Sequence, residues 1–515
     1  MIKHIKYTLL SIGIVLIASC TDIEEDPIGL LAPESFFSSL QDVSTSVTGG
    51  YGYLASEEFW GRKFTLSIML RGDMIDIGDQ GTSVRRIQVN NFQMDDENGM
   101  VAEFWPRIYA MIGTVNYAID GAKLVNEPPE RLNPIVAEGH FLRAFGYYHL
   151  VRVFGEVPLI DFSVTNAEEV SAIEKASVED IYASIIKDLE FAKQWLPDQQ
   201  SLPARPSKAT AAAYLASVYL TLGQWQNAYD EAKFVLDSRG TFGLALEPDF
   251  QTLFDANLSE NSSEMLFTVD FFGSNRDGNL DQDYLASLTG MRGAQQLDVQ
   301  LGRAIGEGWS VAVPSLKVYE DWDSRDYRKA VSFDTVAIMG DTLTHYTFWN
   351  QASRGVSRPH IAKYYRFPGN PSTNARNSDH NYPAMRLAEV LLIAAEALNE
   401  IEGPNDEAIS YINELRQRAR NGNGLSNPGT FPMDVASGIS KDDFRELVLN
   451  ERRLELAFEC KRWYDIVRRD LGDEVFGPMG FEPQENFSKQ RDYLMPLPAD
   501  ELRRNPNLLP QNQGY

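Results

Sequence analysis

Apolar residues recur at three- and four-residue steps along much of this chain. The pattern is clearest at residues 207–237, SKATAAAYLASVYLTLGQWQNAYDEAKFVLD. Ala212, Leu215, Tyr219 and Leu222 share one face of a first predicted helix, Gly223 stops it, and Ala228, Ala232 and Val235 resume the pattern on a second, with Trp225 in the turn. Small residues at the crossing let two backbones approach, while Leu and Tyr fill the outer seam. This is the spacing of a tetratricopeptide-type helix–turn–helix or of another antiparallel helical hairpin. One such pair cannot bury its own apolar face, so more pairs are expected elsewhere.

Amphipathic helices are predicted over residues 42–55, 60–70, 101–125, 134–154 and 177–195, the last two followed by the breakers Gly155 and Pro197. Residues 386–400, RLAEVLLIAAEALNE, pair with 406–420 across Gly403-Pro404, and 442–470 hold one more pair. Two stretches break the rhythm. Residues 71–99 form a long polar segment crowded with Asp73, Asp76, Gly78, Asp79, Gly81, Arg85, Arg86, Asn90 and Asn91. Residues 242–365 contain one short predicted strand, EMLFTVDF at 264–271, then run rich in Gly, Asn, Asp and aromatics. Long loops in compact proteins are often functional. The tail, 493–515, is rich in proline and asparagine and is expected to be an extended cover strap. The fold class is therefore mostly α: tetratricopeptide-like helix–turn–helix pairs form a scaffold, and a loop-rich irregular half contains short β-strands. A boundary near residue 240 separates an N-terminal region, 20–240, from a C-terminal region, 241–515, expected to pack as one structural unit.

The first residues belong to neither region. Lys3 and Lys6 precede a short apolar run at 7–17, and Ile17-Ala18-Ser19-Cys20 places small residues just before a cysteine. Residues 1–19 read as an export signal, with Cys20 as the lipidated first residue of the mature chain or, in the other reading, ordinary cleavage near Ala18-Ser19. Several acyl chains would hold the protein at a membrane without a spanning helix, since each buried methylene contributes ~0.8 kcal/mol. Losing Lys3 and Lys6 takes the net charge from −26 to −28, a field that should repel polyanions, so general nucleic-acid binding is not expected. Two cysteines, Cys20 and Cys460, exclude a disulfide framework.

Four segments together point to a family. EGHFLRAFGYYHLVRVFGEVPLI at 138–160, NELRQRAR at 413–420, LNERRLELAFECKRWYDIVRR at 449–469 and YLMPLPADELRRNPNLLPQNQGY at 493–515 stand in order around the helix at 386–400. The chain resembles the SusD/RagB family of Bacteroidetes outer-membrane lipoproteins over essentially its whole mature length. Cys460 departs from the family's usual glycine and reads as a buried free thiol in a turn. The resemblance implies a mostly α fold with a loop-rich half, lipid anchorage to the outer face of the outer membrane, and a partner: a SusC-like TonB-dependent transporter. The family member acts as a lid that captures oligosaccharides, or peptides in RagB-like members, and requires no bond-breaking chemistry.

The residues themselves offer little catalytic machinery. No GxSxG, HExxH, GxxxxGK or GxGxxG occurs, and the six histidines are scattered. Glu451, Glu455 and Glu459 recur on one helical face, as a glycosidase pair would, but Arg452, Arg453 and Arg462 are interleaved and are expected to hold them in a salt-bridge network. Asp277, Asn279, Asp281 and Asp283 alternate like a calcium loop, yet Gln282 replaces the required glycine and Leu288 the terminal glutamate, so a solvated turn is the default, bound calcium is the other reading, and no other cofactor is expected. A sugar presents apolar C–H faces and a rim of hydroxyls, which aromatic rings and Asp, Asn or Arg match. Asp73 and Asp76 in the first polar stretch, with Tyr284, Arg292 and Trp309 in the second, are the candidate ligand-binding residues, and the family resemblance places the ligand site between these two regions. Trp309 leads because Gly306 and Gly308 leave it little to pack against locally. A tetratricopeptide-type interaction scaffold and a lipid-anchored glycosidase are the competing readings.

Overall fold

Ser39 accepts a hydrogen bond from the backbone N–H of Asp42 and opens the first helix, α1 (Leu40–Leu54), whose Val43, Val47, Gly50 and Leu54 face inward. The computed structural model describes residues 36–164, 166, 170–272, 283–292, 308–339, 342–349, 354–367, 369, 377–422 and 429–515. The export signal and Cys20 lie outside them. After a π-helical turn at Glu57–Gly61 comes α2 (Lys63–Leu70), every residue of which is buried. The polar stretch 71–99 is not one loop: it contains strand β1 (Ile75–Ile77) and helix α3 (Val84–Asn90), because Ile75, Ile77 and Val89 turn inward and anchor it.

The scaffold follows the predicted pairs. Helices α4 (Val101–Ala122) and α5 (Pro129–Phe154) pack on each other and on α1, and α6 (Val178–Trp195) packs on α5. Helix α7 (Lys208–Thr221) begins with a capping box between Ser207 and Thr210, and Ala209, Ala211, Ala212, Ala213 and Ala216 are all buried. Gly223 stands at φ +68°, where a side chain would be strained, and so turns the chain into α8 (Trp225–Asp237). Trp225 opens α8 rather than standing in the turn.

Past α8 the helical rhythm gives way to short strands: β2 (Met265–Asp270), β3 (Ala312–Pro314), β4 (Val336–Met339), β5 (Thr342–His345) and β6 (Asn381–Arg386). Among the described residues every sheet is a two-stranded antiparallel pair, β1 with β3, β2 with β6 and β4 with β5 included. Helices α9 (Leu387–Glu402), α10 (Asp406–Asn421), α11 (Lys441–Glu455) and α12 (Arg462–Arg468) complete the frame, with α8 packed on α9. The largest apolar core runs from Leu54 to Leu508. The tail crosses the end of α5, where the Met495 N–H donates to the Val153 carbonyl at 2.7 Å. It is partly helical, at Ala499–Arg504 and Pro506–Leu508.

The glutamates of α11 and of the turn after it are structural, but their expected partners are wrong. Glu451, Glu455 and Glu459 face inward and take cations from distant segments. Arg386 reaches Glu264 at 2.8 Å, Glu455 at 2.7 Å and Glu459 at 2.8 Å. Arg328 reaches Glu451 at 2.6 Å and Glu455 at 3.1 Å, Arg418 reaches Glu264 at 3.0 Å and also pairs with Glu455, and Lys363 reaches Glu459 at 2.8 Å. Arg452 turns instead to Asp465 at 3.0 Å, and Arg462 to Asp73 at 2.8 Å. Cys460 is half-buried, with its thiol 3.7 Å from the Thr65 carbonyl, and burial pushes that thiol up to about 12. Its φ of +60° lies in the left-handed region that favours glycine.

Acid should weaken this fold. Burial drives His149 well below its ordinary 6.5, His360 to about 3 and His380 to about 4. Each is protonated in the unfolded chain but not in the native one between those values and 6.5, so stability is lost as pH falls. Burial raises Asp270 and Asp283 to about 6, which works the other way below pH 6 but involves two groups against three. Asp465, where burial pushes upward and the Arg452 and Arg468 charges prevail, sits at about 2 and adds a further loss below its ordinary 3.8. The melting temperature is expected to fall steadily from pH 7 to pH 3; a scanning-calorimetry series that is flat or rising over that range would contradict the assignment.

Candidate functional site

A strand pair brings the two polar stretches together. Ile75, Asp76 and Ile77 of β1 lie opposite Pro314, Val313 and Ala312 of β3. The ladder continues past the strands: the Gly78 N–H donates to Val311 O at 2.9 Å and the Asp79 N–H to Ser310 O at 2.7 Å. A Cβ on Gly78 would stand 2.4 Å from the Ser310 carbonyl oxygen, so this approach requires glycine.

Asp79 is the charge that fastens the junction. It is 1% exposed, and Arg354 grips it with two hydrogen bonds, Nε at 2.9 Å and Nη2 at 2.6 Å. Arg292 donates to the same carboxylate at 3.0 Å and to the Trp309 carbonyl at 3.1 Å. Asp76, at the adjoining strand position, accepts from Arg358 at 2.9 Å and from the Asn90 amide at 3.0 Å. Ile77–Gly81 and residues 354–358 line an open cavity of about 410 Å³. Beside it, the Trp309 ring lies 5.8 Å from the Tyr284 ring, whose face carries the Arg62 guanidinium at 4.3 Å.

The predicted residues thus fall into different roles. Asp76, Arg292 and Trp309 gather at the junction and remain partly exposed. Asp73 does not: it is fully buried, and Arg462 binds both its oxygens at 2.8 and 3.0 Å. Burial alone would raise its carboxyl, but the Arg462 and Arg453 charges leave it below the ordinary value. Tyr284 is 7% exposed, so its ring supports Trp309 and Arg62 rather than standing open. Trp309 is half-buried against Tyr284 and the core, so it has more to pack against than its neighbouring glycines suggested; Gly306 lies outside the described residues. Asp277, Asn279 and Asp281 of the calcium-like run also lie outside them. Asp283 is buried and accepts from Ser378 and, at 2.6 Å, from Tyr382, so its carboxylate already takes two hydroxyl donors.

Sequence reasoning missed Arg354 and Arg358 of the cavity wall, and it passed over Phe348, which is 79% exposed. Ser357 ties that wall to the carbonyl of Trp349 at 2.8 Å. Arg354 stands 275 residues from its partner Asp79, and no local signal spans such a distance.

Comparison with known proteins agrees with this fold. Residues 350–515 match the model of the SusD family, and residues 60–220 match a second model, described as starch-binding associating with outer membrane. The chain is similar to a SusD-like protein, P2, of Formosa agariphila, 53% identical over 515 residues and the full length of both chains. Its fold is similar to that of a SusD homolog from Bacteroides thetaiotaomicron, with a TM-score of 0.79 at 21% identity, covering 94% of this chain and 98% of that one. It is also similar to that of a laminarin-binding SusD-like protein, with a TM-score of 0.77 at 22% identity, covering 93% and 100%.

Asp73→Asn is expected to cost about 3–5 kcal/mol of stability, the cost of leaving a buried cation without its partner. Urea unfolding would measure it, and folded protein should keep its ligand affinity. A stability loss below about 1 kcal/mol together with lost affinity would return Asp73 to the binding surface.

Proposed function

The chain belongs to the SusD family, and on that premise we propose that it captures oligosaccharides at the cell surface and delivers them, as a lid, to a SusC-like TonB-dependent outer-membrane transporter. The observation that carries this reading is the β1–β3 junction. It holds an open cavity lined by Asp79, Arg354 and Arg358, and the partly exposed Trp309 is tied to it by Arg292, which donates to both Asp79 and the Trp309 carbonyl; this suits a sugar's apolar face and hydroxyl rim. Helices and strands fix the base of the cavity while connectors supply its lining, the usual division between scaffold and recognition surface. The laminarin named for one structural neighbour is a glycan, which favours oligosaccharide over peptide as cargo.

Two other readings are less well supported. A docking scaffold would use the faces of its helical pairs, but α8 is packed against α9 and the α7 alanines are buried. A glycosidase needs one carboxyl held protonated. The candidate glutamates are buried among guanidinium groups, which hold Glu455 and Glu459 below the ordinary range despite the upward push of burial.

Trp309→Ala is expected to weaken binding of the tightest ligand from a panel of oligosaccharides and peptides by about tenfold or more, with the melting temperature little changed. Titration calorimetry reads this directly; an unchanged isotherm removes the indole from the site. Lipid anchorage through Cys20 is tested separately. Cys20→Ala should move the protein from the outer-membrane fraction to the soluble one, and retention in the membrane would rule that anchor out.

A further inference from the structure

Around the capture cavity the local charge has the opposite sign to the molecule. Arg354 lines the cavity and Arg292 shares Asp79 with it, while Arg62, Lys63, Arg85 and Arg86 form a second group whose charges act on one another. Among the described residues, three carboxylates pair with five of these six cations. Glu57 takes Arg62 and, at 3.4 Å, Lys63. Glu103 takes Lys63 and Arg85, and Asp79 takes Arg292 at 3.0 Å and Arg354 at 2.6 Å. Glu58 is committed elsewhere, to Arg107 at 2.9 Å.

Arg86 has no share in these pairs. It is 9% exposed, donates from Nη1 to the Thr82 hydroxyl at 2.9 Å, and its buried Nε has no hydrogen-bond partner among the described residues. Thr82 directly follows the cavity-lining Gly81, and Asp79, the nearest balancing charge, already serves two other guanidiniums. Arg85 and Arg86 also sit in the first turn of α3, the helix end that disfavours cations. Burial, then the Arg62 and Arg85 charges, lowers Arg86 to about 10 and Lys63 to about 7. A buried guanidinium normally has a carboxylate partner, because an unpaired one costs several kcal/mol. Here no carboxylate pairs with it among the described residues, and the Thr82 that holds it adjoins the cavity lined by Arg354, whose side chain is 53% exposed.

We propose that this basic cluster is an anion-receiving subsite and that the cargo is a glycan bearing sulfate esters or uronate carboxylates, with Arg86 taking the charged substituent. The proposal rests on the glycan-capture reading. Both substituents present paired oxygens that match the guanidinium fork. A fixed cluster of this kind acts within a Debye length, ~8 Å at physiological salt, so it governs the bound sugar while the molecule's overall negative field governs only its approach.

Titration calorimetry of the full soluble chain would use laminarihexaose and maltohexaose as neutral probes, oligogalacturonate for the carboxylate and κ-carrageenan oligosaccharide for the sulfate. A charged probe should bind at least tenfold more tightly than either neutral one at 50 mM NaCl, with the advantage shrinking at 500 mM. Arg86→Gln should reduce the charged-to-neutral affinity ratio about tenfold, and Arg86→Lys by less. If Arg86→Gln does not fold, Arg354→Gln at the mouth should lower the same ratio. Neutral probes binding as tightly as charged ones, or a ratio untouched by these variants, overturns the anionic assignment and leaves glycan capture standing. Binding of peptides alone, with no saccharide of either kind, overturns glycan capture itself and the subsite with it.

Discussion

One buried guanidinium, that of Arg386, joins the frame on which everything else stands. Its three carboxylate partners come from the segment before β2 and from the C-terminal end of α11 and the turn beyond it, while Arg386 itself ends β6 and precedes α9. Burying a charge of this kind is tolerable only when its partners are all in place, since a lone ion in the interior costs several kcal/mol. The network therefore closes only when the strand pair and the helices around it have assembled. Arg418 and Arg328 extend it into α10 and the irregular half.

The capture surface is fastened to this frame by further ion pairs. The turn that carries Glu459 leads into α12, whose Arg462 holds Asp73. Asp73 lies just before β1, and β1 fixes β3, Gly78 and Asp79. Asp79 then gathers Arg292 and Arg354 from segments far away in sequence. A continuous relay of buried charges and strand hydrogen bonds thus runs from the core to the cavity. Sites held this way keep their geometry before the ligand arrives, which spares the ordering cost of binding.

Charge works on two scales. The whole chain is strongly acidic, which suits solubility at a surface and disfavours polyanions at long range. Among the described residues close to the cavity, cations outnumber the carboxylates that pair with them, and one guanidinium has no carboxylate of its own. Net charge is a sum over the surface and says nothing about such a local excess.

Local spacing was enough to define the helices, because a helix is built from contacts three and four residues apart. The pairs at 207–237 and 386–420 stand where periodicity placed them, and Gly223 turns the chain as its missing side chain allows. The four family motifs were legible for the same reason, being contiguous runs. The site was legible only as two polar stretches. Whether Asp73 faces solvent or Arg462, and whether Glu455 pairs with its neighbour or with Arg386, depends on side chains hundreds of residues apart meeting in a low-dielectric interior. Residue type shows that a charge needs a partner; only the folded chain decides which partner it gets, and that Arg86 has no carboxylate among the described residues.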